Sequence, residues 1–418
     1  MTTWFDTARF GMFVHWGHSS QRGIELSWPL VGGVAALPAA QNIPVDAYHA
    51  TAATFDPKRY DPRSWAKMAK RLGMQYAVFT AKHHDGYAMY DTQLSDYSVM
   101  HSPVQRDLLR DFADAMRVEG IRVGVYFSLI DWHHPDYPAF TEADKPYVLG
   151  KSRQPTEEQW ARFSDFMFGQ VRELLTGYGA IAVIWFDGGW ERTIPQWRSH
   201  DLEKMIRELQ PGILINDRLP GVGDYVTPEQ FVPPQPLPRP WETCMTINES
   251  WAYNPSDTRY KSARRIIHTL CEVAGRGGNL LLNVGPMGDG ALPRELTDRL
   301  AVVEQWMSRN GEGIAGTMPA LEVWQFYGPA TRQGDTLYLH LLMRPYDTVT
   351  VRGVRIKKVR SARALGTGAE LRVHTRTSII DTLYNPDPRG ELTIDVPEAA
   401  IDPDATVIAV EFEPGSGF

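Results

Sequence analysis

The chain has 418 residues, a length that leaves room for two or three domains. Hydrophobic residues make up 43% and charged residues 22%, values that are ordinary for a globular protein and exclude intrinsic disorder. The net charge of −7 excludes a basic nucleic-acid or membrane surface, and two cysteines are too few for a disulfide framework.

The N-terminus, MTTWFDTARFGMF, has neither the basic nor the apolar region of a secretory signal. The longest uncharged stretch, residues 26–45, is broken by three prolines and two glycines, whereas a membrane span needs about 20 unbroken apolar residues. We therefore expect a long loop there and no membrane span. The expected location is cytoplasmic, or secreted if a signal has been removed.

Seven short apolar runs alternate with longer amphipathic stretches between residues 10 and 310. The runs are rich in β-branched and aromatic residues, a pattern typical of strands buried on both faces. The predicted strands are residues 11–15, 76–80, 123–128, 181–186, 212–215, 244–247 and 279–284.

Three helix signals lie between these runs. Thr156 and Gln159 form a capping box, Asp107 is placed to cap a second helix, and a third covers residues 262–274 with Cys271 on its buried side. Strand–helix alternation favours parallel β-structure. Because no G-x-G-x-x-G follows the first strand, we expect a barrel rather than a dinucleotide-binding sheet.

The pattern changes after about residue 318, where short β-branched runs are separated by Gly, Pro and Asp turns. These runs are residues 336–342, 348–351, 371–374, 391–396 and 406–412. The sequence therefore predicts an α/β chain, with a (β/α)8-like TIM barrel in residues 1–317 followed by a C-terminal β-sandwich in residues 318–418.

Polar and titratable residues follow nearly every predicted barrel strand. Functional groups of such barrels lie at the C-terminal strand ends, so we expect a binding pocket at that mouth. The residues are His15, His83, His84, Asp85, Tyr126, Asp131, Asp187, Arg218, Glu229, Glu249 and Asn283.

Asp187 carries the sharpest signal, because the apolar run IAVIWF places its carboxyl group at a strand end. A strand-end aspartate often caps the next helix. Here Gly188 and Gly189 permit close approach of a ligand to the backbone, and the flanking Trp185 and Trp190 offer faces on which sugars pack. We therefore interpret Asp187 as a ligand-facing carboxylate.

A carboxylate surrounded by aromatic residues indicates glycoside hydrolysis if a second carboxyl group lies nearby. One carboxylate must be ionised to attack the anomeric carbon, and the other must be protonated to release the leaving group. Asp187 suits the first role. Spacing does not choose the second among Glu229, Glu242, Glu249 and Glu191.

Two histidine pairs raise a metal site as an alternative. His83 and His84 precede Asp85, while His133 and His134 precede a proline. The chain has no H-E-x-x-H, and adjacent strand residues point to opposite faces. We therefore favour neutral histidines that bind hydroxyl groups, expect no metal or cofactor, and interpret His133 and His134 as loop structure.

Eight segments, in order between residues 9 and 317, together resemble the α-L-fucosidase family of retaining glycoside hydrolases. They are RFGMFVHWGHSS, YAVFTAKHHDGYAMYDT, GVYFSLIDWHHPDY, VIWFDGGW, INDRLPG, WETCMTINESWAYN, GGNLLLNVGPMGDGALP and NGEGIAGT. The resemblance implies a barrel enzyme that hydrolyses terminal α-L-fucosyl linkages of oligosaccharides or glycoconjugates by double displacement.

The resemblance also implies the roles of particular residues. The aspartate of the W-x-D-G segment, Asp187, is the nucleophile. The implied fucose contacts are His15, His83, His84, Tyr126, Trp185, Arg218 and Trp251.

The acid/base varies in position across the family and often follows that arginine, which favours Glu229, with Glu249 as second choice. Adjacent Glu-Trp is common in the family after the first strand, whereas this chain reads GIELSWPL, so Glu25 and Trp28 are the predicted equivalents. Ala252 in SWAYN replaces a common glycine.

Three functions follow, from different classes. A retaining fucosidase needs two carboxylates in one pocket and no metal. A metal-dependent barrel hydrolase would lose activity with a chelator. A non-catalytic fucose-binding protein would bind without turnover, and the presence of Asp187 with several candidate acids argues against it.

Overall fold

The computed structural model describes residues 3–32, 43–149 and 151–417. Part of the predicted loop at 26–45, namely residues 33–42, lies outside the described residues. Within those ranges, no helix combines the length and apolar character that crossing a membrane requires.

Seven strands in the described ranges form one parallel sheet. They are β1 (Phe10–Val14), β2 (Tyr76–Lys82), β3 (Arg122–Ser128), β4 (Val183–Asp187), β5 (Leu214–Ile215), β6 (Glu242–Thr246) and β7 (Asn279–Val284). Their order is β5-β4-β3-β2-β1-β7-β6, with every pair parallel. All seven predicted strands are therefore confirmed, with ends shifted by a few residues.

Residues 225–229, which we call the closing segment, occupy the gap between β5 and β6. Tyr225 forms a parallel bridge with Asn216, and Glu229 forms one with Cys244. The Cys244 N–H also donates to the carbonyl of Pro228, at 3.1 Å. The closing segment takes the eighth position, so the sheet curls into the predicted TIM-like barrel.

The described helices of this part of the chain lie between the barrel strands and after the last of them. They are α1 (Val45–His49), α2 (Pro62–Arg71), α3 (Leu108–Val118), α4 (Glu157–Gly177), α5 (Ile194–Trp197), α6 (Ser199–Leu209), α7 (Ala263–Gly275) and α8 (Arg294–Asn310). The two capping predictions are confirmed: the Asp107 carboxyl caps α3, and Thr156 and Gln159 form the box at α4. The predicted helix over residues 262–274 is α7, whose first turn is capped by the Ser262 hydroxyl. The described residues between β5 and β6 contain no helix.

Short 3-10 helices occupy many of the connections. They are Trp4–Thr7, His18–Arg22, Trp28–Leu30, Ala50–Thr54, Val99–His101, Glu142–Asp144, Gly189–Glu191, Gly311–Gly313, Ile356–Lys358 and Glu398–Ala400.

Two antiparallel sheets form the C-terminal part, as expected. The strands are β8 (Met318–Pro319), β9 (Ala330–Gln333), β10 (Thr336–Leu341), β11 (Thr348–Arg355), β12 (Val359–Ala364), β13 (Val373–Arg376), β14 (Arg389–Asp395) and β15 (Thr406–Phe412), with α9 (Ile379–Tyr384) before β14. One sheet has the order β12-β15-β10-β9-β8 and the other β11-β14-β13. Their facing apolar side chains, such as Leu337, Val351 and Leu392, share one core. The division at 317/318 stays a prediction.

Contacts between the two parts fix the sandwich against the barrel. The buried guanidinium of Arg9 lies 3.7 Å from the sulfur of Met318, the first residue of β8, and His268 Nε2 of α7 lies 2.8 Å from the carbonyl of Asp404. The indole of Trp306 donates to the carbonyl of Ala405 at 2.8 Å. The apolar core of the barrel therefore continues into the sandwich.

Candidate active site

Asp187 is the last residue of β4, and its side chain reaches the C-terminal mouth of the barrel. The Tyr126 hydroxyl donates to Asp187 Oδ2 at 2.9 Å, and Arg218 Nη1 donates to Oδ1 at 3.0 Å. Burial opposes ionisation, but the Arg218 charge and these hydrogen bonds outweigh it and lower the pKa of Asp187 below its ordinary value. Asp187 is therefore a carboxylate at neutral pH.

The two glycines after Asp187 are required by the protein's own packing. Gly188 has φ +82°, and a Cβ on it would lie 2.7 Å from the Ile130 side chain. A Cβ on Gly189 would lie 2.4 Å from the Arg218 carbonyl oxygen. Gly188 thus makes room for Ile130, and Gly189 lets the loop that carries Arg218 pass close to the end of β4. Packing within the protein therefore explains both glycines, and no ligand is needed to account for them.

Arg218 joins two carboxylates through two different nitrogens. While Nη1 binds Asp187, Nη2 donates to Glu229 Oε2 at 2.6 Å. Thr227 of the closing segment accepts from Arg218 Nε at 3.2 Å, and the guanidinium lies 4.6 Å from the centre of the Trp185 ring. The Glu229 side chain is 38% exposed and that of Asp187 only 12%, so Glu229 is nearer to solvent.

Two of the other candidate acids have different partners. Glu191 is buried, and its two oxygens accept hydrogen bonds from the hydroxyls of Tyr137 and Tyr147, each at 2.6 Å. Glu249 forms an ion pair with Arg259, and its side chain is 48% exposed. The structure thus brings Glu229, and not these two, to the arginine that binds Asp187.

Glu242, the remaining candidate acid, lies inside the barrel at the start of β6. Its side chain is fully buried, and its oxygens accept from the Tyr76 hydroxyl and from Trp185 Nε1, the latter at 2.9 Å. Burial raises the pKa of Glu242 to about 7.

His15 has a defined tautomer. The Asn283 amide nitrogen donates to the carbonyl of Trp251 at 2.6 Å, so its oxygen must be the atom that faces His15 Nδ1 at 2.7 Å. His15 therefore donates from Nδ1 and leaves Nε2 as an acceptor. Burial lowers the pKa of His15 to about 4, which keeps the ring neutral.

His84 follows the same logic. The Ser128 hydroxyl donates to the carbonyl of Ile130 at 2.8 Å, so its oxygen accepts from His84 Nδ1 at 2.6 Å. His84 Nε2 lies 3.7 Å from Asp187 Oδ2 and is a buried nitrogen without a hydrogen-bond partner among the described residues. Burial lowers the pKa of His84 to about 4, so this nitrogen can accept from a ligand hydroxyl.

In His83, unlike His15 and His84, Nε2 is a hydrogen-bond donor. Ser27 Oγ accepts from the Asp85 backbone N–H at 2.9 Å and lies 2.6 Å from His83 Nδ1. The serine proton is then free to donate to Nδ1, which leaves Nε2–H of His83 as a donor. The His83 and His84 rings lie 4.2 Å apart because both follow the end of β2, on a loop.

Aromatic rings surround these polar groups. Trp185 and Tyr126 stack at 5.6 Å with an interplanar angle of 20°, and Trp251 lies 4.8 Å from the ring of His15. Trp28 lies 5.3 Å from His84 and is parallel to Trp190 at 6.4 Å. The mouth thus combines hydroxyl-binding groups with ring faces, a combination suited to a sugar.

Glu25 contacts backbone rather than open space. Its carboxylate accepts from the N–H groups of Leu26 (2.9 Å), Trp251 (2.6 Å) and Ala252 (2.7 Å). Burial outweighs these hydrogen bonds and raises the pKa of Glu25 to about 7. Of the predicted sugar contacts, Trp28 lines the mouth, while Glu25 fixes the loop that carries Trp251.

The histidine pairs are not arranged as metal ligands. Within the described ranges, no three His, Cys, Asp or Glu side chains surround a point where a metal could bind. His133 stacks on Tyr97 at 3.9 Å, and the backbone N–H groups of His133 and His134 donate to Asp131. His133 and His134 therefore belong to a loop that their backbone hydrogen bonds organise.

Sequence reasoning missed the residues that orient the site. Ser27, Ser128 and Thr227 fix the protonation of His83 and His84 and the direction of Arg218. Each stands within a few residues of a predicted strand end or site residue, but small hydroxyl residues are common in loops. Their partners are distant in sequence, so spacing carries no signal for them.

The family is settled by comparison with known proteins. A model of the family described as Alpha-L-fucosidase matches residues 1–312. The chain belongs to the alpha-L-fucosidase family. It is 32% identical to the tissue alpha-L-fucosidase of Bos taurus over 342 residues, covering 76% of this chain and 70% of the relative.

Solved structures of the family superpose over nearly the whole chain. Alpha-L-fucosidase isoenzyme 1 from Paenibacillus thiaminolyticus is 39% identical, with a TM-score of 0.84 and 98% of both chains covered. A family 29 glycoside hydrolase from Bacteroides thetaiotaomicron is 28% identical, with a TM-score of 0.81 and 97% and 94% covered. The latter, a Glu-to-Gln mutant, is a trapped covalent intermediate in complex with 2-fluoro-fucosyl fluoride.

Proposed function

We propose that this member of the family is a retaining α-L-fucosidase that releases terminal fucose from oligosaccharides or glycoconjugates. The observation that carries the proposal is the pairing of two carboxylates by Arg218: Asp187, ionised and nearly buried, and Glu229, nearer to solvent. The covalent fucosyl intermediate of the related Bacteroides enzyme supports a double displacement.

In the first step, Asp187 attacks the anomeric carbon while the bond from that carbon to the leaving oxygen breaks. Glu229 gives its proton to the leaving oxygen. In the second step, Glu229 takes a proton from water, the hydroxide attacks the anomeric carbon, and the Asp187 carboxylate leaves. His15 and His84 accept from fucose hydroxyls, and His83 donates to one.

Glu229 must give a proton to the leaving oxygen, whereas in the structure its Oε2 accepts from Arg218 Nη2 at 2.6 Å. We propose that the bound substrate separates Glu229 from Arg218, leaving Arg218 to Asp187 alone. The sugar ring then packs on Trp185 and Trp251, with Trp28 at the rim.

A metal-dependent hydrolase and a non-catalytic binder are the competing functions. The geometry favours neither function. The Nδ1 atoms of His83 and His84 are hydrogen-bonded to serine hydroxyls, which argues against a metal site. Both carboxylates are present, which argues against a non-catalytic binder. The compartment expected from the sequence stays a prediction.

The deciding experiment compares hydrolysis of an aryl α-L-fucoside by the wild type and Asp187→Asn, with and without a chelator. We expect turnover by the wild type in both conditions and a loss of at least about 10³-fold in kcat for the variant, since about 4 kcal/mol of barrier reduction is removed. Loss with chelator alone would support metal chemistry. An unchanged variant would mean that Asp187 is not the nucleophile.

A further inference from the structure

Glu242 is a buried carboxyl group that the proposed mechanism does not use. It begins β6 and is surrounded by the apolar and aromatic side chains that fill the barrel, including Phe5, Tyr76, Tyr225 and Trp185. Burying an ionisable group in such a layer is unfavourable unless it is hydrogen-bonded. The reason for a carboxyl group here must therefore lie in its partners.

The partners of Glu242 connect it to the mouth of the barrel. Trp185 Nε1 donates to Glu242 Oε1 at 2.9 Å, and the Tyr76 hydroxyl donates to Oε2. Trp185 stands two residues before Asp187 on β4, so the two side chains leave the strand on the same face. An indole has one polar atom, and this hydrogen bond fixes the rotation of its ring.

The orientation of Trp185 matters because two groups that bind Asp187 pack on its ring. Tyr126 stacks on it at 5.6 Å and donates to Asp187, and the Arg218 guanidinium lies 4.6 Å from its centre and also binds Asp187. A rotated indole would displace both. Glu242 thus acts on the mouth of the barrel from the layer beneath it.

We propose that Glu242 is a positioning residue that holds Trp185 as the rigid wall of the fucosyl site through its hydrogen bond to the indole N–H. The proposal rests on the proposed function, since Trp185 is taken as a fucose contact. Its effect is on binding of the fucosyl group, so it is independent of the leaving group.

The test measures the competitive inhibition constant of L-fucose, together with kcat and KM for an aryl α-L-fucoside. Glu242→Leu removes the acceptor, and we expect the inhibition constant and KM to rise about tenfold, because fixing the freed indole against the sugar then opposes binding. Glu242→Gln keeps a carbonyl oxygen for the indole, so both constants should stay within about threefold of the wild type.

Tyr76→Phe is the matched control, because it removes the other hydrogen bond of Glu242 and leaves the one to Trp185. We expect it to lower thermal stability without changing the inhibition constant. If Tyr76→Phe and Glu242→Leu raised the constant equally, or if Glu242→Leu only lowered stability, a role through Trp185 would be excluded.

A second variant keeps the test decisive if Glu242→Leu does not fold. Trp185→Phe deletes the same N–H from the other side and keeps an aromatic ring, and less than a threefold change in the inhibition constant would overturn the proposal. Where both variants fold, Glu242→Leu should have no further effect in the Trp185→Phe background. A wild type that neither binds L-fucose nor hydrolyses fucosides would contradict the proposed function instead.

Discussion

At the scale of single residues, one guanidinium gives the two carboxylates different positions and surroundings. Arg218 and Tyr126 hold Asp187 ionised in a nearly buried position, while Glu229 meets the same arginine from the solvent side. Two carboxyl groups in different environments can take different protonation states at one pH, as double displacement requires. In the proposed mechanism, the roles of nucleophile and acid therefore follow from the depth of each carboxyl group in the barrel.

These roles predict that azide gives products of opposite anomeric configuration with a Glu229 variant and with an Asp187 variant. Glu229→Ala should lose about 10²–10⁴-fold of its rate on a substrate with a poor leaving group. With a good leaving group and azide, the variant should form fucosyl azide of retained α configuration, because azide attacks the intermediate on Asp187. Proton NMR of the product measures the configuration.

The control for this prediction is Asp187→Gly, in which azide attacks the substrate itself and should give the inverted β-azide. Retained product from Glu249→Ala, with none from Glu229→Ala, would move the acid/base to Glu249.

The convergence of Asp187 and Arg218 at the mouth was predictable, whereas the residues that orient the site were not. Asp187 and Arg218 each follow an apolar run, and the C-terminal ends of all strands in such a barrel lie at the same mouth. The tautomer of His84, by contrast, depends on the Ser128 hydroxyl, which is committed to a loop carbonyl. Such dependence arises only after folding, since the partners lie 44 residues apart.

At the scale of elements, Glu25 joins the loop after β1 to the loop after β6. Its carboxylate accepts from the backbone N–H groups of Trp251 and Ala252, 226 and 227 residues away. Trp251 also supplies the carbonyl that orients Asn283 and, through it, His15. One buried carboxyl group therefore fixes a ring face and a hydroxyl-binding histidine.

Glu25→Ala should leave the backbone N–H groups of Leu26, Trp251 and Ala252 without their acceptor and loosen Trp251. We expect a loss of about 2–5 kcal/mol in the free energy of unfolding and a KM increase that exceeds the decrease in kcat. Urea denaturation and steady-state kinetics measure these effects. Glu249→Ala, on the same loop but exposed, is the matched control and should change stability by less than about 0.5 kcal/mol.

The regular elements were predictable because each repeats a local pattern, and the closing segment was not. All seven parallel strands are apolar runs in the sequence, α3 and α4 are marked by their capping residues, and α7 by its apolar face. The closing segment, YVTPE, is held by isolated β-bridges to Asn216, Trp241 and Cys244. Its position depends on contacts that form only in the folded chain, so neither the periodicity nor the composition of its sequence distinguishes it from a loop.

At the scale of the whole molecule, buried ionisable groups make stability depend on pH in opposite directions. Glu25 and Glu242 have pKa values raised to about 7, above their ordinary 4.5, so stability that is full below pH 4.5 is lost as pH rises through 7. His15 and His84 have pKa values lowered to about 4, so they destabilise the fold as pH falls from 6.5 through 4. Between pH 4.5 and 6.5 these two pairs of groups therefore change stability in opposite directions.

Glu242→Gln isolates one of these contributions. The groups nearest to Glu242 are Tyr76, Tyr225, Cys244 and Arg218, none of which titrates between pH 4.5 and 7. The free energy of unfolding of the wild type minus that of the variant should fall by about 3 kcal/mol over that range. Urea denaturation at a series of pH values measures the difference, and a constant difference would contradict the burial effect.

The closing segment gives the barrel one position that is built differently from the other seven. Asp187 is the end of a full strand whose neighbours on both sides fix it, but Glu229 belongs to a stretch held by a few backbone contacts, with no helix among the described residues between β5 and β6. We expect residues 219–241, which follow Arg218, to tolerate changes in length or register at a smaller cost than the regular strands would. In evolution, and in a library of exchanged loops, this is where the proposed proton donor and the surroundings of the leaving group can diverge while the proposed nucleophile stays in place.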